Sequence, residues 1–369
     1  MTVARHAFRT AALLAAALFA AACGSDPSRP EAAPAVRFAD CVAVTPYSPT
    51  SAWRATCPPA ANVDSALLRA AFVEAPTELP TVYSLLVVRH GYIVGENYYQ
   101  GARATSIFDL RSVTKGVTSA LVGAAIERGF VDSAGQTVSS LVPNYFPEGT
   151  DPVKLDITLR HLLSMESGWS PSTPLPRIVP YAAALVARPL STAPGTHWEY
   201  DDGTYHVLAA ALHGAVGHDL LGFAGTRLFG PLGITAPVNR WATDEEAIPY
   251  GSAGLLLTAR EAAKIGELYL RDGVWDGQRL LADGWVDSTW VPRAVGSGDA
   301  PISYGYGWWG AAEGTHAYRY ALGYGGQFIA VVPDLDLVVV VTSNATVTED
   351  APVQHFRALL RDRILPAVM

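Results

Sequence analysis

Charge is scarce in this chain. Of 369 residues only 16% are charged, and just three are lysines, Lys115, Lys154 and Lys264, against 23 arginines. A formal net charge of −8 leaves no basic surface for a phosphate backbone, so nucleic acid is a poor partner. Cysteine is equally scarce. Cys23, Cys41 and Cys57 have no histidine or further cysteine at metal-ligand spacing, and none of the nine histidines forms an H-E-x-x-H, so no metal site is expected. No serine stands in a G-x-S-x-G, and there is no P-loop and no dinucleotide fingerprint, so neither an α/β-hydrolase triad nor an organic cofactor is implied. The 33 glycines and 26 prolines follow no fixed period, which excludes collagen-like and solenoid arrays. What is present is a chain that is 50% hydrophobic with a mean hydropathy of +0.18, too apolar to be disordered and long enough for one large or two ordinary domains.

The one sustained apolar run lies between Ala11 and Ala22, after Arg5 and Arg9. It is shorter than the ~20 residues that cross a bilayer and reads as the charged and apolar regions of a secretory signal. Its end, Leu18-Phe-Ala-Ala-Ala-Cys23-Gly-Ser25, resembles a bacterial lipobox, with Ala20 where that pattern usually carries Leu. The resemblance implies lipidation at Cys23, an exported cell-envelope protein, and membrane contact only through that anchor. Residues 1–22 are then a leader and residues 23–60 an extracytoplasmic lead-in. In an oxidising compartment Cys41 and Cys57 are expected to pair, closing a short loop.

Residues 61–369 read as the working domain. Tyr83–Val88 and Tyr92–Tyr98 are β-rich runs joined at His90-Gly91, a hairpin signal. From about Leu110 to Trp290 helical periodicity takes over, with helices expected over Ser112–Gly129, Leu159–Ser164, Thr204–Val216 and Ala259–Arg271. Strands return at Ile302–Trp309, Ala317–Leu322, Phe328–Val332 and Leu337–Thr342, and a helix over Ala351–Leu365, with Glu349 and Asp350 at its N-terminal end, closes the chain. Strands at both ends with helices between them predict an α+β fold: one antiparallel sheet made by the two chain ends, carrying a large helical insertion.

Within the insertion, Ser112-Val-Thr-Lys115 stands at the start of a helix, where residues i and i+3 share a face. The helix N-terminus favours negative charge developing on Ser112 Oγ and disfavours an ammonium on Lys115, so that a neutral Lys115 can take the serine proton. Tyr304, Tyr306 and Trp308 alternate and read as one strand face packed in the core, with Trp308 and Trp169 as candidates for a cleft border. Glu166 has no E-x-x-x-N partner loop and reads as a surface carboxylate.

The run Phe108–Ser119 resembles the S-x-x-K segment of the penicillin-recognising serine hydrolases, the superfamily of class C β-lactamases, D,D-peptidases and related esterases. Further segments resemble it in the same order. They are Ile157-Thr-Leu-Arg-His-Leu-Leu-Ser-Met-Glu-Ser-Gly168, Tyr200-Asp201-Asp202 at the Y-x-N position, Ser252-Ala-Gly254, Tyr304-Gly-Tyr-Gly-Trp308 and Gly323-Tyr-Gly-Gly-Gln327 at the K-T-G or H-x-G position. Leu85-Leu-Val-Val-Arg-His-Gly91 and the Gly-Gly-Gln look most similar to the 6-aminohexanoate-dimer hydrolase and esterase branch.

The resemblance implies Ser112 as nucleophile, Lys115 and Tyr200 as general base and acid, and the backbone N–H groups of Ser112 and Gln327 as oxyanion hole. Gly325 and Gly326 would let a substrate approach the strand closely. Two positions depart from the pattern. Asp202 replaces an asparagine whose amide could donate, and reads either as a substrate contact or as a helix N-cap. Tyr324 replaces a basic residue and lacks the charge that pairs with a β-lactam or peptide carboxylate. The expected activity is hydrolysis of a small ester or amide through an acyl-enzyme. The alternatives are a β-lactamase or D,D-peptidase, and a non-catalytic envelope binding or sensor protein.

Overall fold

The computed structural model describes residues 36–171, 180–235, 237–295, 303–347 and 352–368. The leader with Cys23, Ile302, Glu349, Asp350 and Ala351 lie outside the described residues. β-rich runs and a two-residue turn make the first hairpin: β1 (Val82–Arg89) and β2 (Tyr92–Tyr98) pair from Arg89 opposite Tyr92. Two small ribbons follow inside the helical region, β3 (Phe108–Asp109) with β4 (Leu256–Leu257) and β5 (Val274–Trp275) with β6 (Gln278–Arg279). The chain then returns to strands: β7 (Ala294–Val295), β8 (Ser303–Tyr304), β9 (Trp309–Glu313), β10 (His316–Gly323), β11 (Gln327–Val332) and β12 (Leu337–Ser343). Together they form an eight-stranded antiparallel sheet in the order β2-β1-β12-β11-β10-β9-β8-β7, so the hairpin from the start of the chain docks on the last strand.

The continuous valines of β12 are explained by burial on both faces. Val338 and Val340 join Leu86, Val88 and Ile329 in one core, while Val339 and Val341 join Leu85, Val87 and Phe328 in the other. Helix Ala259–Leu270 covers the first face together with the insertion; helix Ser65–Glu78 and the C-terminal helical run from Pro352 to Val368 cover the second. Cys41 and Cys57 form a disulfide, and the chain beside it pairs with β2 through Thr56 N to Ile93 O (3.0 Å) and Ile93 N to Arg54 O (3.0 Å).

The expected strand Ile302–Trp309 is divided. Tyr304 pairs with Trp309, so residues 305–308 are a tight connection, turned by Gly307 at φ +80°. Tyr304, Tyr306 and Trp308 therefore share no strand face, although all three are buried.

Candidate active site

Ser112 lies in a single 3-10 turn, Arg111–Val113, that leads directly into helix Thr114–Glu127. Pairing of β3 with β4, extended by Leu110 N to Leu255 O (3.0 Å), fixes the approach to this turn. Arg111 is held left-handed (φ 50°), a conformation that costs a non-glycine residue about 1–3 kcal/mol. Its backbone N–H donates to Asp109 Oδ1 (2.9 Å) and its guanidinium Nη2 to Ala345 O (2.8 Å), tying the turn to the chain just beyond β12. Ser112 itself is partly exposed, and its hydroxyl makes no hydrogen bond to another described residue.

One helical turn on, Lys115 is 1% exposed. Its Nζ donates to Asp202 Oδ1 at 2.6 Å and to the carbonyl of Ser252 at 3.1 Å, and sits 4.8 Å from the centre of the Tyr200 ring. The segment carrying Ser252 is fixed by Thr118 Oγ1, which donates to Gly251 O at 2.8 Å. Gly307 makes room for this arrangement, because a Cβ there would meet Lys115 O at 2.8 Å and Tyr205 Oη at 3.0 Å.

Asp202 is not the helix cap. The helix runs Asp202–Ala215, and Asp201 caps it, accepting from Gly203 N (3.0 Å) and Thr204 Oγ1 (3.0 Å) while paired with Arg188 Nη1 (2.8 Å). Asp201 is extended and buried, which leaves the next carboxylate on the first helical turn, 62% exposed and turned onto Lys115. The Y-x-N position thus carries a group that only accepts, where an asparagine would accept and also offer a donor.

Tyr200 stacks on Trp309 (ring centres 6.2 Å apart, 20° between planes) and meets Trp198 and Tyr304 at 6.4 and 6.5 Å. It faces Lys115 with its ring, and no hydrogen bond joins its phenol to Nζ in this geometry. Burial among other phenols pushes Tyr205 and Tyr304 well above the usual tyrosine range, so both are neutral walls. Tyr205 donates to Leu163 O at 2.8 Å.

The Gly323–Gln327 turn joins β10 to β11, both of which pack against the Ser112 turn. Gly323 is needed there because a Cβ would collide with Leu110 O. Gly325 and Gly326 have φ +78° and +89° and present Tyr324, which is 52% exposed. The Gln327 side chain is buried, its Nε2 donating to Ser343 O (2.8 Å) and its Oε1 accepting from Ser343 N (3.0 Å). Gln327 can serve the site only through its main chain.

Trp169 is buried beside a separate cavity of about 250 Å³ that holds Glu199 and Asp201 but neither Ser112 nor Lys115. Trp308 does not border the cleft either: it packs on Gly116 and Tyr269, and the next residue, Trp309, is the one beside Tyr200. Glu166 is half-buried and accepts from Ser164 Oγ at 2.6 Å, so it is not a free surface carboxylate. Sequence reasoning missed Trp198, Trp309 and the Ser252 carbonyl. Trp198 carried one local signal, since in extended chain residues i and i+2 share a side. Among the described residues no cluster of His, Cys, Asp and Glu is placed to hold a metal ion.

The beta-lactamase family profile matches residues 69–362. The 6-aminohexanoate-dimer hydrolase of Paenarthrobacter ureafaciens is 24% identical over 333 residues, covering 82% of this chain and 81% of that protein. Two solved structures share the fold. An octameric penicillin-binding protein homologue from Pyrococcus abyssi has a TM-score of 0.64 at 18% identity, covering 81% of this chain and 78% of its own. A family VIII carboxylesterase has a TM-score of 0.64 at 17% identity, covering 81% and 96%. With some 80% of the chain inside the matched profile and the β-lactamase-like fold around its Ser-x-x-Lys turn, the protein belongs to the beta-lactamase family of serine hydrolases.

Proposed function

We propose that the protein hydrolyses a small uncharged ester or amide through an acyl-enzyme on Ser112. The observation that carries this reading is the pair of bonds at Lys115 Nζ. A neutral amine has two N–H groups, and here two acceptors, Asp202 Oδ1 and Ser252 O, are in place to receive them. The lone pair is what remains for the Ser112 proton.

In this mechanism Ser112 Oγ attacks the carbonyl carbon as its proton passes to Lys115. The oxyanion is received by the backbone N–H groups of Ser112 and Gln327. The leaving alcohol or amine departs with a proton returned from Lys115, directly or through Tyr200 Oη. Water then attacks the ester on Ser112, giving its proton back along the same groups, and the acid and free serine are released.

Substrate preference follows from the two departures. An exposed, uncharged Tyr324 and a carboxylate at position 202 provide neither a fixed positive charge nor an amide donor for a β-lactam or D-alanyl carboxylate. The Trp198, Tyr200 and Trp309 rings instead offer an apolar wall. The Cys41–Cys57 disulfide supports action in an oxidising, extracytoplasmic compartment, and lipidation at Cys23 would keep the protein at the envelope.

The test is intact mass after treatment with a fluorophosphonate, for the protein and for Ser112→Ala, with turnover of p-nitrophenyl acetate, p-nitrophenyl butyrate and nitrocefin. Single labelling that vanishes in the variant, with ester turnover well above nitrocefin turnover, supports the proposal. Dominant nitrocefin or D-Ala-D-Ala turnover makes it a β-lactamase or D,D-peptidase. A folded protein with neither labelling nor turnover makes it an envelope binding protein.

A further inference from the structure

The oxyanion hole proposed for this site is split between two distant parts of the chain. One N–H belongs to Ser112, in the turn that enters helix Thr114–Glu127, and the other to Gln327, the first residue of β11. Two donors stabilise one oxygen only if both stand within about 3 Å of where its charge develops, so the spacing of the two elements is part of the site. Local structure does not set that spacing. It depends on what joins the Ser112 turn to the Gly323–Gln327 turn.

The residue before the nucleophile makes that join. Arg111 is left-handed, φ 50°, an unfavourable conformation for a residue with a Cβ, and it persists only where its surroundings hold it. Asp109 holds it from one side: Oδ1 accepts from Arg111 N at 2.9 Å, and Oδ2 lies 3.2 Å from Nε. On the other side Nη2 donates to Ala345 O at 2.8 Å, two residues past the end of β12. That short exit segment is clasped to the second turn as well. A Cβ on Gly325 would meet Ala345 Cα at 3.1 Å and collide with Asn344 O, so Asn344 and Ala345 lie directly against the Gly-Gly pair. Ser343 is bound at its N–H and its carbonyl by the Gln327 side chain, at 3.0 and 2.8 Å. Asn344 N donates to Thr81 O at 2.9 Å and Asn344 Oδ1 accepts from Thr346 N at 3.0 Å, two bonds that fix the shape of the exit. One guanidinium thus connects the Ser112 turn, through residues 343–345, to Gln327. Yet the Arg111 side chain is 38% exposed, and an ion pair so open contributes little to stability. A contact of small worth to the fold, preserving a strained backbone beside the nucleophile, points to the site.

We propose that Arg111 is a positioning residue: its left-handed backbone aims the Ser112 N–H, and its guanidinium, bound to Ala345 O, sets the distance from that N–H to the one of Gln327. It touches no substrate and acts through the two turns. The proposal rests on the Ser112 acyl-enzyme reading and adds to it the side chain that keeps the oxyanion hole assembled.

The test compares the protein with Arg111→Gln, too short to carry the contact and without charge, and with Arg111→Lys, whose ammonium can still donate to Ala345 O. Turnover of p-nitrophenyl butyrate is normalised to the Ser112 centres that a fluorophosphonate labels to completion. Phenylboronic acid, whose adduct on Ser112 carries tetrahedral oxygens, reports on the hole through its Ki. Arg111→Gln is expected to lower kcat about twentyfold or more and to weaken phenylboronic acid about tenfold, with KM within about twofold and Tm within about 3 °C of the unaltered protein. Arg111→Lys should recover about a third of kcat or more, because it restores the donor. Asp109→Ala removes the acceptor of Arg111 N–H, should act in the same direction, and stands in if Arg111→Gln does not fold. A loss of kcat that phenylboronic acid does not share, or that Arg111→Lys does not rescue, would overturn the proposal. An unaltered protein that is neither labelled nor active overturns the Ser112 reading and this proposal with it, whereas a labelled, active protein with an equally active Arg111→Gln overturns the role of Arg111 alone.

Discussion

Lys115 Nζ lies 2.6 Å from Asp202 Oδ1, an amine that is almost fully buried meeting a carboxylate that is mostly in solvent. The asymmetry matters. Asp202 gives Lys115 Nζ an acceptor, while the water around it screens its charge.

Asp202→Asn is therefore expected to keep kcat/KM for p-nitrophenyl acetate within about fivefold, because the amide oxygen still accepts from Nζ and the charge of an exposed partner is worth about 1 kcal/mol or less. Asp202→Ala removes charge and acceptor together and should lower kcat. Steady-state kinetics on the two variants separates the effects, and a fall of equal size in both would mean that the carboxylate itself is needed.

Tyr200 touches Lys115 through its ring, so ring and phenol can be separated. Tyr200→Phe keeps the stack on Trp309 and is expected to leave KM within about twofold while lowering kcat about 100-fold, the usual scale of a lost general acid. An unchanged kcat would reduce Tyr200 to a wall of the cleft.

Buried His206 and Asp244, 2.9 Å apart, pin the loop that leads to Gly251 and Ser252. Burial alone would raise the Asp244 carboxyl. The hydrogen bond from His206 and backbone N–H bonds from Ile248 and Glu246 win, holding it below its usual 3.8. A depressed carboxyl stabilises the fold above its unfolded value and loses that contribution as pH falls through the lower folded value. The Tm gap between the protein and Asp244→Asn should be full near neutral pH and narrow below about pH 4, as thermal melts across that range would show.

The Cys41–Cys57 bridge, with a sequence separation of 16, should contribute about 3 kcal/mol in the chain-entropy model. Paired Cys41→Ser and Cys57→Ser substitutions are expected to lower unfolding stability by about that amount in denaturant titrations. Ester turnover at low temperature should survive, since the bridge braces β2 and the lead-in and touches no residue of the Ser112 site.

What the sequence determined by itself is whatever repeats or signals over short range. The paired runs around His90-Gly91 and the valines of β12 follow from local composition and turn signals, the helical insertion from local period, and Ser112 with Lys115 from three-residue spacing on a helix. Tertiary structure decided the rest. Asp202 reads as readily as a cap until the fold buries Asp201 against Arg188 and gives the cap to it. Trp308 and Trp309 are adjacent and chemically alike, and only the path through Gly307 sends one beneath helix Thr114–Glu127 and the other to Tyr200. The Lys115–Asp202 bond spans 87 residues and the Arg111–Ala345 bond spans 234. Such contacts depend on where each side chain points once the sheet and helices have docked, and no periodicity along the chain encodes that.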